Sequence, residues 1–291
     1  MVTTYSMILI TGGAGRLGFE VVKLLVARGE KVRVFDLPNI NWSQLEGLRT
    51  SNNVTTFKGD ITNPEHVRQA CEDVNGVIHL AALMPPRSET DENFTYNVNV
   101  VGTSNLIKNL TRKTPVVFSS SISIYSITAE EKRPIDELHS LRPHDYYSKT
   151  KILSENIVSK SGNPYTILRL SPIAVADLVE LPNIIPYRAD QRVEFIFVED
   201  AARAIVGALQ LVEEMETFNV AGGDSWQMLG HQYIEGFYKA LGVEVDPKYS
   251  EKFTAVDWYN TSKGRRINYQ STTFKAFEEK LKTIGADYGL K

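Results

Sequence analysis

Cysteine is almost missing from this sequence: Cys71 is the single one in 291 residues. An intramolecular disulfide cannot form, and a reducing compartment, the cytoplasm, is the expected home. An excess of charge of one sign is also missing, with 32 Lys and Arg against 35 Asp and Glu and a formal charge of −3. Neither a nucleic acid nor an anionic membrane surface is therefore an expected partner. No stretch reaches the roughly 18 uninterrupted apolar residues of a membrane span. Met1 to Ser6 carries no positive charge with which to open a signal peptide. The histidines at 66, 79, 139, 144 and 231 lack metal-ligand spacing, and no metal is expected. No Gly-x-Ser-x-Gly elbow occurs. Cys71 lies in a helical apolar pattern and reads as core rather than nucleophile.

What is present is ordinary globular usage, 42% hydrophobic and 23% charged, in a chain long enough for two domains or one domain with a small lobe. Short apolar runs alternate with helical patterns. Strands are expected at 7–11, 31–36, 54–58, 76–80, 115–119 and 165–170. Helices are expected at 15–28, 43–50, 64–71, 94–111 and 145–159. This alternation predicts an α/β fold, a doubly wound parallel sheet of the Rossmann type, with a small C-terminal α/β lobe. Beyond residue 170 the alternation stops, and 170–192 should be mostly irregular. Strands at 195–198 and 218–220 should flank a helix at 199–212, with further helices at 227–241 and 272–283. The expected division is residues 1–170, with 193–221 returning to them, and a substrate lobe of 171–192 and 222–291.

Thr11-Gly12-Gly13-Ala14-Gly15-Arg16-Leu17-Gly18 joins the first strand to the first helix. Gly12, Gly15 and Gly18 allow a tight turn, close approach to a pyrophosphate and close helix–sheet packing. The N–H groups of Gly15, Arg16 and Leu17 should then face phosphate, with the helix dipole behind them. Asp36 follows Gly18 by 18 residues, where an acid accepts hydrogen bonds from the adenosine ribose. A carboxylate there repels a 2′-phosphate, which favours NAD over NADP; Arg16 and Arg33 are the cations that could reverse that preference. Asp60, with Ile61 after it, ends the third strand and is either an adenine contact or the cap of the helix near Pro64.

Tyr147 and Lys151 are four apart on a helix and so share a face. An ammonium beside a phenol lowers the phenol's pKa, at about 1.4 kcal/mol per unit, which would suit Tyr147 as a general base for a substrate hydroxyl. Ser119, Ser120 and Ser121 follow the fifth strand, at the edge where ligands sit in such sheets. Alone, each feature is common; in this order they form a set.

With these motifs the chain resembles the extended short-chain dehydrogenase/reductase family, in particular its nucleotide-sugar epimerase/dehydratase-like branch. The likeness runs through Thr11–Gly18, Gly59-Asp60, Ala81-Ala82, Asn97–Thr103, Phe118–Tyr125, Pro143–Lys151, Arg169, Phe197–Ala204 and Phe218–Val220. It implies Ser121 as the catalytic hydroxyl, Tyr147 as the base and Lys151 as its lysine, which also binds the nicotinamide ribose. It further implies Ala81, Ala82, Asn99 and Ser119 along the cofactor, and a homodimer built from the helices at 94–111 and 145–159. Ile122 and Ser123 stand where dehydrating members carry Asp-Glu, which argues against loss of water. Leu170-Ser171-Pro172 lacks the usual asparagine after Arg169, which weakens the case for a nucleotide-sugar phosphate. The candidate substrate contacts are Met84, Ser121, Tyr187, Arg192 and Trp258; Arg188, Arg265 and Arg266 are further cations for an anionic group. The expected reaction is Tyr-assisted hydride transfer at a secondary hydroxyl of a sugar or sugar nucleotide. A simple dehydrogenase of a small hydroxy compound and a non-catalytic NAD sensor are the alternatives.

Overall fold

The computed structural model describes residues 5–49, 53–131, 134–180 and 182–290. In chain order its elements begin with β1 (Ile8–Thr11), α1 (Arg16–Ala27), β2 (Val32–Asp36), α2 (Glu46–Arg49), β3 (Val54–Lys58), α3 (Pro64–Ala70) and β4 (Gly76–His79). Next come α4 (Glu92–Tyr96), α5 (Gly102–Lys108), β5 (Val116–Ser121), α6 (Tyr146–Ser159), β6 (Tyr165–Leu170) and β7 (Ile173–Ala174). The last are β8 (Arg192–Glu194), β9 (Ile196–Phe197), α7 (Val198–Ala208), β10 (Glu216–Val220), β11 (Gln227–Leu229), α8 (Gly230–Leu241) and α9 (Phe274–Asp287).

β1 and β4 are buried along their whole length, as strands covered on both faces must be. They lie at the centre of a seven-stranded sheet of order β10-β6-β5-β4-β1-β2-β3. Every pairing in it is parallel, so all the strands end on one rim. The winding reverses between β1 and β4, and the crevice beyond that point is where such sheets bind ligands. α1 turns Val21, Val22 and Leu25 into the core, each worth about 1.5–3 kcal/mol relative to exposure. A second core gathers Tyr187, Val193, Phe197, Trp226, Tyr233, Phe237 and Phe277. Aromatic contacts run through it, and Phe195 and Tyr233 stack with ring centroids 4.0 Å apart.

The sequence-based outline holds for the doubly wound sheet, and the departures are local. The helix expected at 94–111 is broken by a π turn at Asn97–Val101, which brings the Asn99 side chain into the interior. The helix expected at 43–50 is a 3₁₀ turn, Ser43–Leu45, followed by α2; Thr50 lies outside the described residues. Residues 227–229 form a strand rather than helix because they pair antiparallel with β8. No helix among the described residues is long and apolar enough to cross a membrane.

Candidate active site

The glycine turn sits on the rim at the reversal point. Gly12 has φ +71°, and a Cβ on it would lie 2.8 Å from the Ala81 nitrogen. A Cβ on Gly18 would lie 2.3 Å from the Gly12 carbonyl oxygen, so only glycine lets α1 seat this close to the turn. The Gly15 N–H is turned back on the Gly12 carbonyl at 3.2 Å, which removes it from the expected phosphate-facing set. The first helical bond runs from the Phe19 N–H to the Gly15 carbonyl. The N–H groups of Arg16, Leu17 and Gly18 are thus left without a partner among the described residues. α1 has no side-chain cap and no acid in its first turn. That bare positive end fits a pyrophosphate. Arg16 itself reaches out to Asp177, 3.3 Å away on the surface.

Asp36 ends β2 beside this turn and accepts the N–H of Ala14 at 3.1 Å and of Leu37 at 2.9 Å. Burial raises its pKa, against those two hydrogen bonds. The Arg33 guanidinium is held by the backbone at the end of α3, Nη1 donating to the carbonyls of Ala70 and Glu72 at 2.8 and 2.6 Å. Asp60 does not cap α3; Asn63 does, accepting from Glu65 and His66. Asp60 instead accepts from the N–H and hydroxyl of Thr62 through one oxygen, both at 2.8 Å. Ile61 packs in the core below, against Gly102.

Beneath the rim runs a chain of uncharged hydrogen bonds. The Thr11 hydroxyl bonds His79 Nδ1 at 2.7 Å, and His79 Nε2 bonds the Thr103 hydroxyl at 2.9 Å. Thr103 donates in turn to the Asn99 carbonyl. The Thr11 oxygen also accepts the Ala81 N–H at 3.2 Å, which fixes the segment after β4. Burial first, and the Lys151 charge second, hold the His79 pKa down to about 3. A histidine whose folded pKa lies below its unfolded value of ~6.5 contributes stability that is complete above that pH. The contribution is lost as pH falls toward 3, at about 1.4 kcal/mol per pH unit. His79→Gln should therefore flatten the acid limb of the unfolding free energy, followed by urea titration at several pH values. An acid limb as steep as that of the parent chain would remove His79 from this role.

Asn99 is buried, and both polar atoms of its side chain are bonded within the protein. It accepts the Leu83 N–H at 2.7 Å and donates to the Leu83 carbonyl at 3.0 Å, pinning the segment that carries Ala81 and Ala82. A third bond at 3.0 Å reaches Thr150 on α6.

Ser121, Tyr147 and Lys151 come together on the rim. Ser121 ends β5, accepts the Ser123 N–H at 3.2 Å and stands close enough to the Tyr147 phenol to lower its pKa in part. Ser119 points elsewhere: its hydroxyl donates to the His79 carbonyl at 3.1 Å, and its own carbonyl accepts from Lys151 Nζ at 2.8 Å. The Ser120 hydroxyl is buried without a partner among the described residues. Lys151 Nζ lies 4.9 Å from the Phe118 ring centroid and 5.8 Å from that of Tyr147.

The expected acidification of Tyr147 by Lys151 is absent from the protein alone. Burial drives the phenol above its usual range, Ser121 lowers it in part, and Asp145 raises it. Burial also lowers the Lys151 pKa to about 8, against the charge of Glu155.

α6 is held from behind by a buried network. Arg169 on β6 grips Glu155 with two bonds, at 3.1 and 2.9 Å, and donates to the Tyr125 hydroxyl at 2.8 Å. Tyr125 donates to Asn219 on β10 at 2.6 Å. Helix and three neighbouring segments are thereby tied together one turn beyond Lys151.

The expected substrate contacts divide. Met84 is 62% exposed on the segment after β4. Tyr187 is not a pocket wall; it is buried in the second core against Phe195. Arg192 is tied to Asp257 at 2.6 Å and Trp258 donates to the Met228 carbonyl at 3.3 Å. Arg188 pairs with Asp190 and Arg266 with Glu214. Sequence reasoning missed Glu89, whose carboxylate meets the start of α6 at Tyr146 and Tyr147. No local pattern announces a cap that comes from so far along the chain.

Comparison with known proteins matches residues 9–175 to the model of the 3-beta hydroxysteroid dehydrogenase/isomerase family. The human sterol-4-alpha-carboxylate 3-dehydrogenase, decarboxylating, is 32% identical over 158 residues, 53% of this chain but only 40% of that protein's length. Two solved structures share the fold across nearly the whole chain. One is a UDP-N-acetylglucosamine 4-epimerase from Methanobrevibacter ruminantium M1, with TM-score 0.80 and 22% identity over 99% of this chain and 100% of that one. The other is the Thermus thermophilus UDP-glucose 4-epimerase in complex with NAD, with TM-score 0.80 and 22% identity over 96% and 99%. The match at 9–175 covers more than half of the 291 residues, and the chain belongs to the 3-beta hydroxysteroid dehydrogenase/isomerase family.

Proposed function

We propose that the chain is an NAD-dependent oxidoreductase acting on an uncharged secondary alcohol or the corresponding ketone. The observation that carries this reading is the meeting of Ser121, Tyr147 and Lys151 on the same rim as the bare N-terminus of α1. When bound, NAD supplies the hydride acceptor at the site. Arg16, Leu17 and Gly18 would hold its pyrophosphate, Asp36 its adenosine ribose and Lys151 its nicotinamide ribose. The Ser121 hydroxyl holds the substrate oxygen, and Tyr147 Oη takes the hydroxyl proton in oxidation or returns it in reduction. With its pKa raised by burial, Tyr147 is protonated in the free protein and ready to donate.

Substrate class follows from charge. A nucleotide diphosphate calls for cations free to bind it; of the four candidate arginines, Arg188, Arg192 and Arg266 are each tied to a carboxylate, and Arg265 alone forms no ion pair among the described residues. That supports a neutral, hydroxyl-bearing substrate over a sugar nucleotide. The test is a panel of nucleotide sugars, free sugars, cyclic secondary alcohols and sterols with NAD, read by NADH absorbance and product analysis. Turnover confined to the nucleotide sugars would reverse the substrate class. Calorimetry showing no affinity for a pyridine dinucleotide would end the oxidoreductase reading. Asp36→Asn keeps an acceptor for the Ala14 N–H and removes the charge, so the preference for NAD over NADP should narrow about tenfold, or 1.4 kcal/mol. An unchanged preference in the same titration would take that role from Asp36.

A further inference from the structure

The geometry points to Glu89 as a positioning residue for Tyr147, one that fixes the segment at the mouth of the site and the catalytic helix to each other. The inference rests on the oxidoreductase reading above. Glu89 Oε2 accepts the Tyr146 N–H at 2.9 Å, and Oε1 accepts the Tyr147 N–H at 3.1 Å. Asp145 takes the next N–H, that of Ser148, at 2.7 Å. The N–H groups of the first three helical residues, which have no partner within an α-helix, are therefore met by carboxylates, which also suit the positive end of the dipole. The contrast with α1 is direct: that helix keeps the same groups bare for a ligand.

Glu89 does not hang free. Ser88 is fully buried and donates its hydroxyl to Glu89 Oε1 at 2.7 Å. The Ser88 carbonyl accepts from the buried Thr95 hydroxyl at 2.8 Å, and its N–H bonds the Met84 carbonyl at 3.0 Å. The other end of the segment is pinned where Asn99 holds Leu83. Between the pins, Met84, Pro85, Pro86 and Arg87 stand exposed. The segment after β4, which carries Ala81 and Ala82, therefore meets the tyrosine helix at two places: the Glu89 carboxylate at its first turn, and Asn99, which bonds both Leu83 and Thr150. A shift of about 1 Å in a reacting group is enough to cost orders of magnitude in rate.

Two variants test this. Glu89→Ala removes both acceptors; Glu89→Gln leaves one oxygen to accept. Amide exchange at Tyr146 and Tyr147, read by NMR on the ligand-free chain, should quicken about tenfold in Glu89→Ala and less in Glu89→Gln. With the panel alcohol turned over fastest by the parent chain, Glu89→Ala should lose about tenfold in kcat at unchanged KM for NAD. Glu89→Gln should recover most of that loss. Unchanged exchange, a kcat within twofold of the parent, or a loss that falls on KM for NAD would each overturn the assignment. If the parent chain turns over no alcohol, the oxidoreductase reading fails, and exchange alone decides whether Glu89 holds the helix.

Discussion

Tyr147→Phe should bind NAD within about twofold of the parent chain and lose about 10²–10⁴-fold in turnover, the range set by a positioned general acid or base. The substitution removes one hydroxyl from a buried ring and leaves the α1 turn, Asp36 and Lys151 in place. Calorimetry with NAD and steady-state kinetics on the same preparation separate the two effects. Normal turnover in the variant would show that the proton moves through another group. Burial raises the Tyr147 pKa and keeps the phenol protonated, and reduction of a ketone consumes a proton, so reduction should be favoured toward lower pH. Oxidation should rise as pH increases, when the proton must leave. Identical pH profiles in the two directions would contradict a tyrosine in this role.

Arg169→Met should destabilise the chain by about 3–5 kcal/mol, the cost of leaving a buried partner charge uncompensated. The Arg169 and Glu155 side chains are 7% and 8% exposed, so solvent screens the stranded carboxylate little. Methionine keeps much of the stem's packing, so the loss reads the ionic network rather than a cavity. Urea unfolding measures it, and Arg169→Met combined with Glu155→Gln should recover part of the loss because the stranded charge is gone. A double variant no more stable than Arg169→Met would rule out this account.

The sheet was legible because a parallel sheet covered on both faces demands apolar runs, and Ile8–Ile10 and Gly76–Ile78 are such runs. The glycine turn was legible because its steric demands are local. Asp145 was also in principle readable, since a cap acts three residues along its own chain. The failures have a common cause. Helical spacing placed Tyr147 near Lys151 but carried no information on burial, which set both pKa values. Tyr187 and Arg192 have the right chemistry for a pocket, yet their partners, Phe195 apart, come from other parts of the chain. Asp257 lies 65 residues beyond Arg192, and Glu89 lies 57 residues before Tyr146. Pairings of that length are made by the fold, and one sequence does not display them.

The aromatic second core gives the molecule an optical map. Trp226 is sealed within that core, its indole N–H bonded to the Thr272 carbonyl at 2.8 Å, while Trp42 sits near the end of β2 and donates to Leu37. Trp258 is half-buried, with the Arg192 guanidinium 5.8 Å from its ring. Emission from the three indoles therefore samples separate regions of the molecule. Quenching by a small solute would reveal whether the region around Trp226 loosens before the great sheet does.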